Sequence, residues 1–252
     1  MSNYVITGAN SEIGQALFSH LVNKGHKVLL VSRSPKMIND DNVNWLDGIN
    51  MTNEDDLYKL RKYIQSNYST PFNLIHSVGD FWEHKSITDT SFAESISQIN
   101  SHYVTLFGVI KAVLPIMQNN GGGRIIAFSC NSVKYNYPDM AAFTSSKSAV
   151  ECLIKCTANE QSKHNILANA FALPSIKTNN VIKTKPEEYH QNYPTLKELT
   201  DCIEDTIENL SPLVNGNVIN LFKHSDSFYN KGYYERNIIW KATNNERTEG
   251  IL

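Results

Sequence analysis

Apolar residues in this chain fall into short runs of strand length, separated by stretches in which apolar positions recur every three or four residues. The short runs predict strands at Tyr4–Ile6, Lys27–Val31, Asn44–Leu46, Asn73–His76, Arg124–Ser129, Ile166–Phe171 and Asn217–Leu221. The stretches between them predict helices near Ile13–Asn23, Glu54–Tyr68, Ser97–Met117, Ala141–Gln161 and Leu196–Asn209. Pro115 and the Gly121-Gly122-Gly123 turn are expected to end the third helix. Strand and helix alternate in the βαβ rhythm of an α/β fold with a doubly wound parallel sheet. No repeat or low-complexity linker breaks the rhythm, which predicts a single domain over residues 1–252, with 222–252 as a C-terminal extension.

Composition narrows the partners. With 252 residues, 41% hydrophobic and 19% charged, the chain can bury a substantial core. A formal charge of −2 leaves no electrostatic footprint for nucleic acid or an anionic membrane. No uninterrupted apolar run reaches the roughly 18 residues of a membrane span, and the first strand starts too early for a leader, so a cytoplasmic location is expected. Cys130, Cys152, Cys156 and Cys202 have neither metal-ligand nor disulfide-framework spacing, so no metal site is expected. Cys152 and Cys156, four apart on a predicted helix, read as packing residues.

The first strand runs into Thr7-Gly8-Ala9-Asn10-Ser11-Glu12-Ile13-Gly14 and an amphipathic helix. Such a turn lets backbone approach a pyrophosphate at a helix N-terminus. The segment resembles the T-G-x-x-x-G-x-G turn of the short-chain dehydrogenase/reductase family, whose fold is Rossmann-like, with Gly8 and Gly14 matching and Glu12 on the middle Gly. Gly8, Asn10, Ser11, Ile13 and Gly14 are its cofactor-binding candidates. Glu12 either faces the phosphates, which it would repel, or points to solvent and favours the helix N-terminus. After the second strand, Ser32-Arg33-Ser34 offers no carboxylate for a ribose 2′-hydroxyl. Arg33 is either a partner for a 2′-phosphate or a surface residue, and the former implies NADP in preference to NAD. Asn50, in Ile49-Asn50-Met51-Thr52, falls on the family's Asp near the adenine. Gly79 is the single match of Leu74-Ile75-His76-Ser77-Val78-Gly79 to N-N-A-G, and His76 and Ser77 either replace the hydrogen bonds lost there or mark their lapse. Asn169-Ala170-Phe171-Ala172-Leu173-Pro174-Ser175-Ile176-Lys177-Thr178 resembles N-A-V-A-P-G-x-I-x-T, with Thr178 on the cofactor-contacting Thr. Ser211 to Ile219 resembles the approach to the last strand, so the likeness covers residues 3 to about 221.

The resemblance implies catalysis by a Tyr, a Lys four residues later, a Ser thirteen before the Tyr and an Asn on the preceding helix. Lys147 matches the Lys, which in the family also holds the nicotinamide ribose. Phe143 replaces the Tyr, and Cys130 falls on the Ser, with Ser129 and Ser132 beside it. Asn100 suits the Asn locally, but a gapless register puts His102 there. Tyr135, Tyr137 or His102 could supply the missing proton, and Cys130 could be a nucleophile if Lys147 stabilised its thiolate. The plainer readings are loop aromatics, a helix histidine and a small core residue. Residues from Thr178 to Leu210 are expected to form a mobile lid over a small-molecule substrate.

Three functions fit: an atypical NADP-dependent oxidoreductase acting on a carbonyl or alcohol, a catalytically silent subunit or binding module, and a non-redox lyase or isomerase. The resemblance implies a homodimer or homotetramer through Ser97–Met117 and Ala141–Gln161, and the silent reading adds a hetero-oligomer with an active relative. Tyr229, Tyr233, Tyr234 and Trp240 suit either a subunit contact or a tail packed on its own domain.

Overall fold

The computed structural model describes residues 1–34, 43–80, 82 and 84–221, less the side chains of 188 and 189. The strands are β1 (Asn3–Thr7), β2 (Lys27–Val31), β3 (Asn44–Leu46), β4 (Phe72–His76), β5 (Gly123–Cys130), β6 (Ile166–Leu173) and β7 (Val218–Asn220). They form one sheet in the order β3-β2-β1-β4-β5-β6-β7, and every pairing is parallel. Each predicted strand is present, and the doubly wound, Rossmann-like architecture follows. Winding reverses between β1 and β4, where Thr7 pairs with His76. At such a switch point the C-terminal strand ends part to leave a crevice.

The helices are α1 (Glu12–Asn23), α2 (Glu54–Asn67), α3 (Phe92–Ile99), α4 (Thr105–Asn119), α5 (Ser132–Tyr135), α6 (Ala141–Gln161), α7 (Asn179–Thr184) and α8 (Leu196–Asn209). Successive strand residues face opposite sides of the sheet, so two cores form. On one side Val5, Leu29, Leu74 and Ile125 pack with Ile64 of α2, Val113 of α4 and Ile154 of α6. On the other, Tyr4, Ile6, Ile75 and Phe171 pack with Leu17 and Leu21 of α1 and Leu199, Ile203 and Ile207 of α8. The stretch expected as a lid therefore divides: α8 belongs to the second core, and α7 lies over the crevice.

Several local expectations are corrected. A capping box of Ser91 and Glu94 starts α3 well before Ser97. From there α3, a π-helical turn at Asn100–Val104 and α4 run on as one helix, Phe92–Asn119. Pro115 lies inside α4 instead of ending it. Although broken by polar residues, this helix reaches a mean hydropathy of 1.3 over 18 residues, enough by length and composition to cross a membrane; half of that window is buried inside the fold. Cys152 and Cys156 are exposed on α6 and are not packing residues. The C-terminal extension, with Tyr229, Tyr233, Tyr234 and Trp240, lies outside the described residues.

The turn after β1 depends on Gly8. Its φ is +77°, and a Cβ there would lie 2.6 Å from the Ser77 carbonyl carbon. Backbone strain and overpacking each cost about 1–3 kcal/mol. Gly8→Ala is expected to destabilise the protein by roughly 2–4 kcal/mol in urea unfolding; a loss under about 0.5 kcal/mol, the scale of ordinary surface changes, would show that the β1–β4 edge yields easily.

Candidate active site

Because the parallel strands end at one edge, their following loops converge. Gly8 after β1, Ser77–Gly79 after β4, Cys130 at the end of β5 and Leu173-Pro174 at the end of β6 border two adjoining cavities. The first, about 440 Å³, is lined by Gly8, Asn10, Ser11, Arg33, Asn50 and Asn100, among others. The second, about 410 Å³, takes in Ile13, His102, Cys130, Phe143, Lys147 and Thr178. Ser11 and Ser77 to Asp80 line both, so the two form one groove along the strand ends.

The turn is tightly built. Ser11 caps α1, accepting from the Gly14 N–H at 2.9 Å. Gly14 is buried beneath the turn, where a Cβ would lie 2.5 Å from the Gly8 carbonyl oxygen. Asn10 donates to the Ser34 carbonyl and ties the turn to the loop after β2. Arg33 is exposed at the rim of the first cavity, and no ion pair engages it among the described residues. Asn50 already uses its side-chain carbonyl to accept from Thr52 N–H and Oγ1 at 3.1 and 2.9 Å. Thr178 caps α7, accepting from Val181 N–H at 3.3 Å.

Glu12 stays at the surface, half-exposed, but is not free. Its two carboxylate oxygens accept from the Asn179 N–H at 3.0 and 2.9 Å, clasping the start of α7 to the start of α1 across 167 positions of sequence. An orphan N–H at one helix end and a carboxylate at another make this contact favourable.

At the second cavity, α6 contributes Phe143 and Lys147 one helical turn apart. Lys147 is buried, and its ammonium donates to the Phe128 carbonyl of β5 at 3.0 Å. Nζ also lies 5.7 Å from the centroid of the Phe143 ring. Burial lowers the Lys147 pKa to about 8. His102 meets the same ring edge-on, with centroids 5.2 Å apart at 89°. The Ser146 hydroxyl donates to the Phe143 carbonyl at 2.7 Å. Ser146 Oγ therefore accepts from His102 Nδ1–H at 2.8 Å, which leaves Nε2 bare. Nε2 is buried without a hydrogen-bond partner and lies 2.8 Å from where a Cβ on Gly79 would sit, with Lys147 Nζ 3.5 Å from the same point. Burial and the nearby Lys147 charge pull the His102 pKa down to about 2, against backbone contacts at Asp80 and Gln98 that raise it.

His76 braces the edge from behind. Thr105 Oγ1 donates to the Ser101 carbonyl at 2.7 Å and so accepts from His76 Nε2 at 3.3 Å, while His76 Nδ1 accepts from Thr7 Oγ1 at 2.8 Å. Burial, then Lys147, lowers its pKa to about 3. Ser77 Oγ donates to the Thr7 carbonyl at 2.7 Å. His76 and Ser77 are thus both hydrogen-bonded at the β1–β4 edge.

The π turn separates the two Asn candidates. Asn100 faces the first cavity, and His102 faces Phe143 in the second. Tyr135 lines neither cavity and stacks on Tyr137, with centroids 5.7 Å apart. Tyr137 lines a small side cavity of about 70 Å³ behind Cys130, away from Lys147. Ser129 turns its hydroxyl to Glu151 at 2.6 Å, and Ser132 is fully buried, so neither takes the Ser role in this arrangement. Cys130 faces both cavities, its sulfur 3.4 Å from the Ser132 N–H. Two contributors carried no signal in the sequence: Ser146, which fixes the His102 tautomer, and Lys185, which faces the second cavity. Among the described residues no group of three or more His, Cys, Asp or Glu is placed to hold a metal.

The short chain dehydrogenase family pattern matches residues 2–189, and the chain belongs to that family. Dehydrogenase/reductase SDR family member 4 of Caenorhabditis elegans is 26% identical over 220 residues, covering 82% of this chain and 81% of that protein. In structure the chain is similar to ElxO with NADP bound, at TM-score 0.79 and 21% identity over 87% of this chain and 96% of that one. A Tyr-to-Phe variant of ElxO with NADPH bound aligns at TM-score 0.78, with the same identity and coverage.

Two predictions come from the buried charges. Lys147 has its folded pKa below the unfolded 10.5, so below about pH 8 its burial costs stability, and the cost fades as pH rises toward the unfolded value. Lys147→Met is expected to raise the midpoint of thermal unfolding at pH 7 and to lose that advantage above about pH 10; no gain at pH 7 would mean that the ammonium is compensated. His76 and His102 bind fewer protons folded than unfolded between their lowered pKa values, about 3 and 2, and the ordinary 6.5. Their contribution to stability is therefore lost progressively as pH falls below about 6.5. A Lys147→Met/His102→Phe double variant is expected to flatten this acid limb in urea titrations from pH 7 to 4, and an unchanged limb would assign it to the carboxylates.

Proposed function

We propose that this protein is an oxidoreductase that binds NADP(H) in preference to NAD(H) and interconverts a small carbonyl compound and its alcohol, with the Lys147 ammonium serving the reacting oxygen in place of a phenol. The observation that carries this reading is Lys147 itself. Its ammonium has three donor hydrogens, gives one to the Phe128 carbonyl, and borders the cavity through which a substrate oxygen would approach. An acid of pKa about 8 is close to the operating pH, where proton transfer is most effective. Phe143 offers no proton, and His102 at neutral pH presents only a lone pair.

The groove supports a dinucleotide. Gly8, Ser11 and the start of α1 would take the pyrophosphate, Arg33 a 2′-phosphate, and Lys147 the nicotinamide ribose or the substrate oxygen. The fit is incomplete at Glu12, whose negative charge lies at the phosphate-binding end of α1. The two ElxO structures, one a Tyr-to-Phe variant, hold NADP and NADPH in this fold. The nicotinamide, when bound, supplies or takes the hydride. In the reductive direction Lys147 gives its proton to the carbonyl oxygen as that oxygen gains charge, and recovers one from solvent.

A catalytically silent subunit is the second reading, favoured by Phe143 standing against both Lys147 and His102 where a proton donor would act. In either case the protein is expected to assemble through α4 and α6, whose outer faces leave Phe107, Cys152 and Cys156 exposed.

Nicotinamide fluorescence titrations test the first reading. NADPH is expected to bind about tenfold or more tighter than NADH, and Arg33→Ala to erase most of the difference, as for a charge-assisted hydrogen bond. Lys147→Met is expected to lower carbonyl reduction by about 10²–10⁴-fold, the contribution of a positioned general acid, whereas reduction that appears only in Phe143→Tyr would favour the silent subunit. Absence of binding by either nucleotide, in the protein and in Phe143→Tyr alike, would overturn the reading.

A further inference from the structure

We infer that Lys185 is a binding site for a carboxylate on the substrate, which makes the substrate class a short oxo acid or the corresponding hydroxy acid. The oxo half of this statement rests on the oxidoreductase reading above, and the acid half rests on Lys185. Lys185 directly follows α7 and lines both the second cavity and the side cavity behind Cys130. It is half-buried, and no carboxylate pairs with its ammonium among the described residues. The other lysine of the cavity, Lys147, is already bound to a carbonyl. Among the described residues no acid lines the side cavity. Of the described acids at the main cavity, Glu12 is held on Asn179 at the far end of α7, and Asp80 is exposed at the rim.

The side chain is also held in place by its surroundings. Glu12 and Thr178 fix the start of α7. The Lys185 N–H donates to the Val181 carbonyl, and its carbonyl accepts from His190 Nε2 at 2.9 Å. A cation pinned by its backbone, desolvated and unpaired is costly until an anion arrives. Burial already pushes the Lys185 pKa below the ordinary lysine value, and nothing beside it pushes back. The side cavity, at about 70 Å³, is roughly twice the share of liquid volume of one water. It has room for a small anionic end group. Cys130, Met140 and Leu173 line both cavities and offer apolar surface to a short hydrocarbon spacer, beside the polar His84 and Ser175.

The test measures binding to the full-length protein, with and without saturating NADPH, by ligand-observed NMR titration. The probes are 2-oxobutanoate, 3-oxobutanoate and 4-oxopentanoate, each against its methyl ester. At least one acid is expected to bind about tenfold or more tighter than its ester. Lys185→Gln should remove that preference and leave ester binding within twofold, while Lys185→Arg should keep most of it. Added salt should weaken the acid and not the ester, and that readout stands even if Lys185→Gln fails to fold. Equal binding of acid and ester across the series, or a preference that survives in Lys185→Gln, overturns the assignment. The nucleotide titration is scored separately. Acid preference without NADPH binding would keep the carboxylate site and reject the oxidoreductase, whereas NADPH binding without acid preference would do the reverse.

Discussion

One buried ammonium organises this site. Lys147 reaches from α6 to the Phe128 carbonyl of β5, and an ion taken from water to the end of a parallel sheet tolerates few neighbours. The two histidines nearest it, His76 and His102, are held neutral by burial and by its charge, and each then has a defined tautomer set by a hydroxyl that is already committed elsewhere. A Cβ on Gly79 would overlap the His102 ring, 2.7 and 2.8 Å from Cδ2 and Nε2, and would reach contact distance of Lys147 Nζ at 3.5 Å. Phe143 offers the cation a ring face and a low dielectric, without charge neutralisation.

Much of the fold was legible because parallel strands buried on both faces read as apolar runs, and seven of them were found within a few residues of their positions. Phe143 and Lys147 were legible for a related reason: a fixed helical spacing of four cannot drift. The Asn100 and His102 alternative could not be settled by counting, because a π turn inserts a residue between the predicted registers and turns the two side chains into different cavities. Glu12 defeated a local reading, since its partner Asn179 is remote in sequence. The same holds for Ser129, whose hydroxyl looked available until Glu151 was found beside it. Pro115 misled because proline disfavours helix interiors only on average, and a helix packed on a sheet can carry one.

The departures from the family pattern lie along the groove: Glu12 at the start of α1, and Phe143, Cys130 and His102 around Lys147. Gly8, Asn10 and Arg33 border the first cavity, and Phe143, Cys130, His102 and Thr178 the second. The Phe143 ring has no proton to give, and the one N–H of the neutral His102 imidazole is committed to Ser146.

The Glu12 clasp also has a kinetic meaning. It joins the first turn of α1 to the start of α7, so its loop closes only after β1, β4, β5 and β6 have been laid side by side. Contacts of such long range form late. It is also held by a single N–H at the surface, outside both cores, which is the profile of a contact that opens before the domain does. The start of α7 is thus tied to the first turn of α1, so a displacement of the phosphate turn would be passed to the segment carrying Val181 and Lys185 at the groove's mouth.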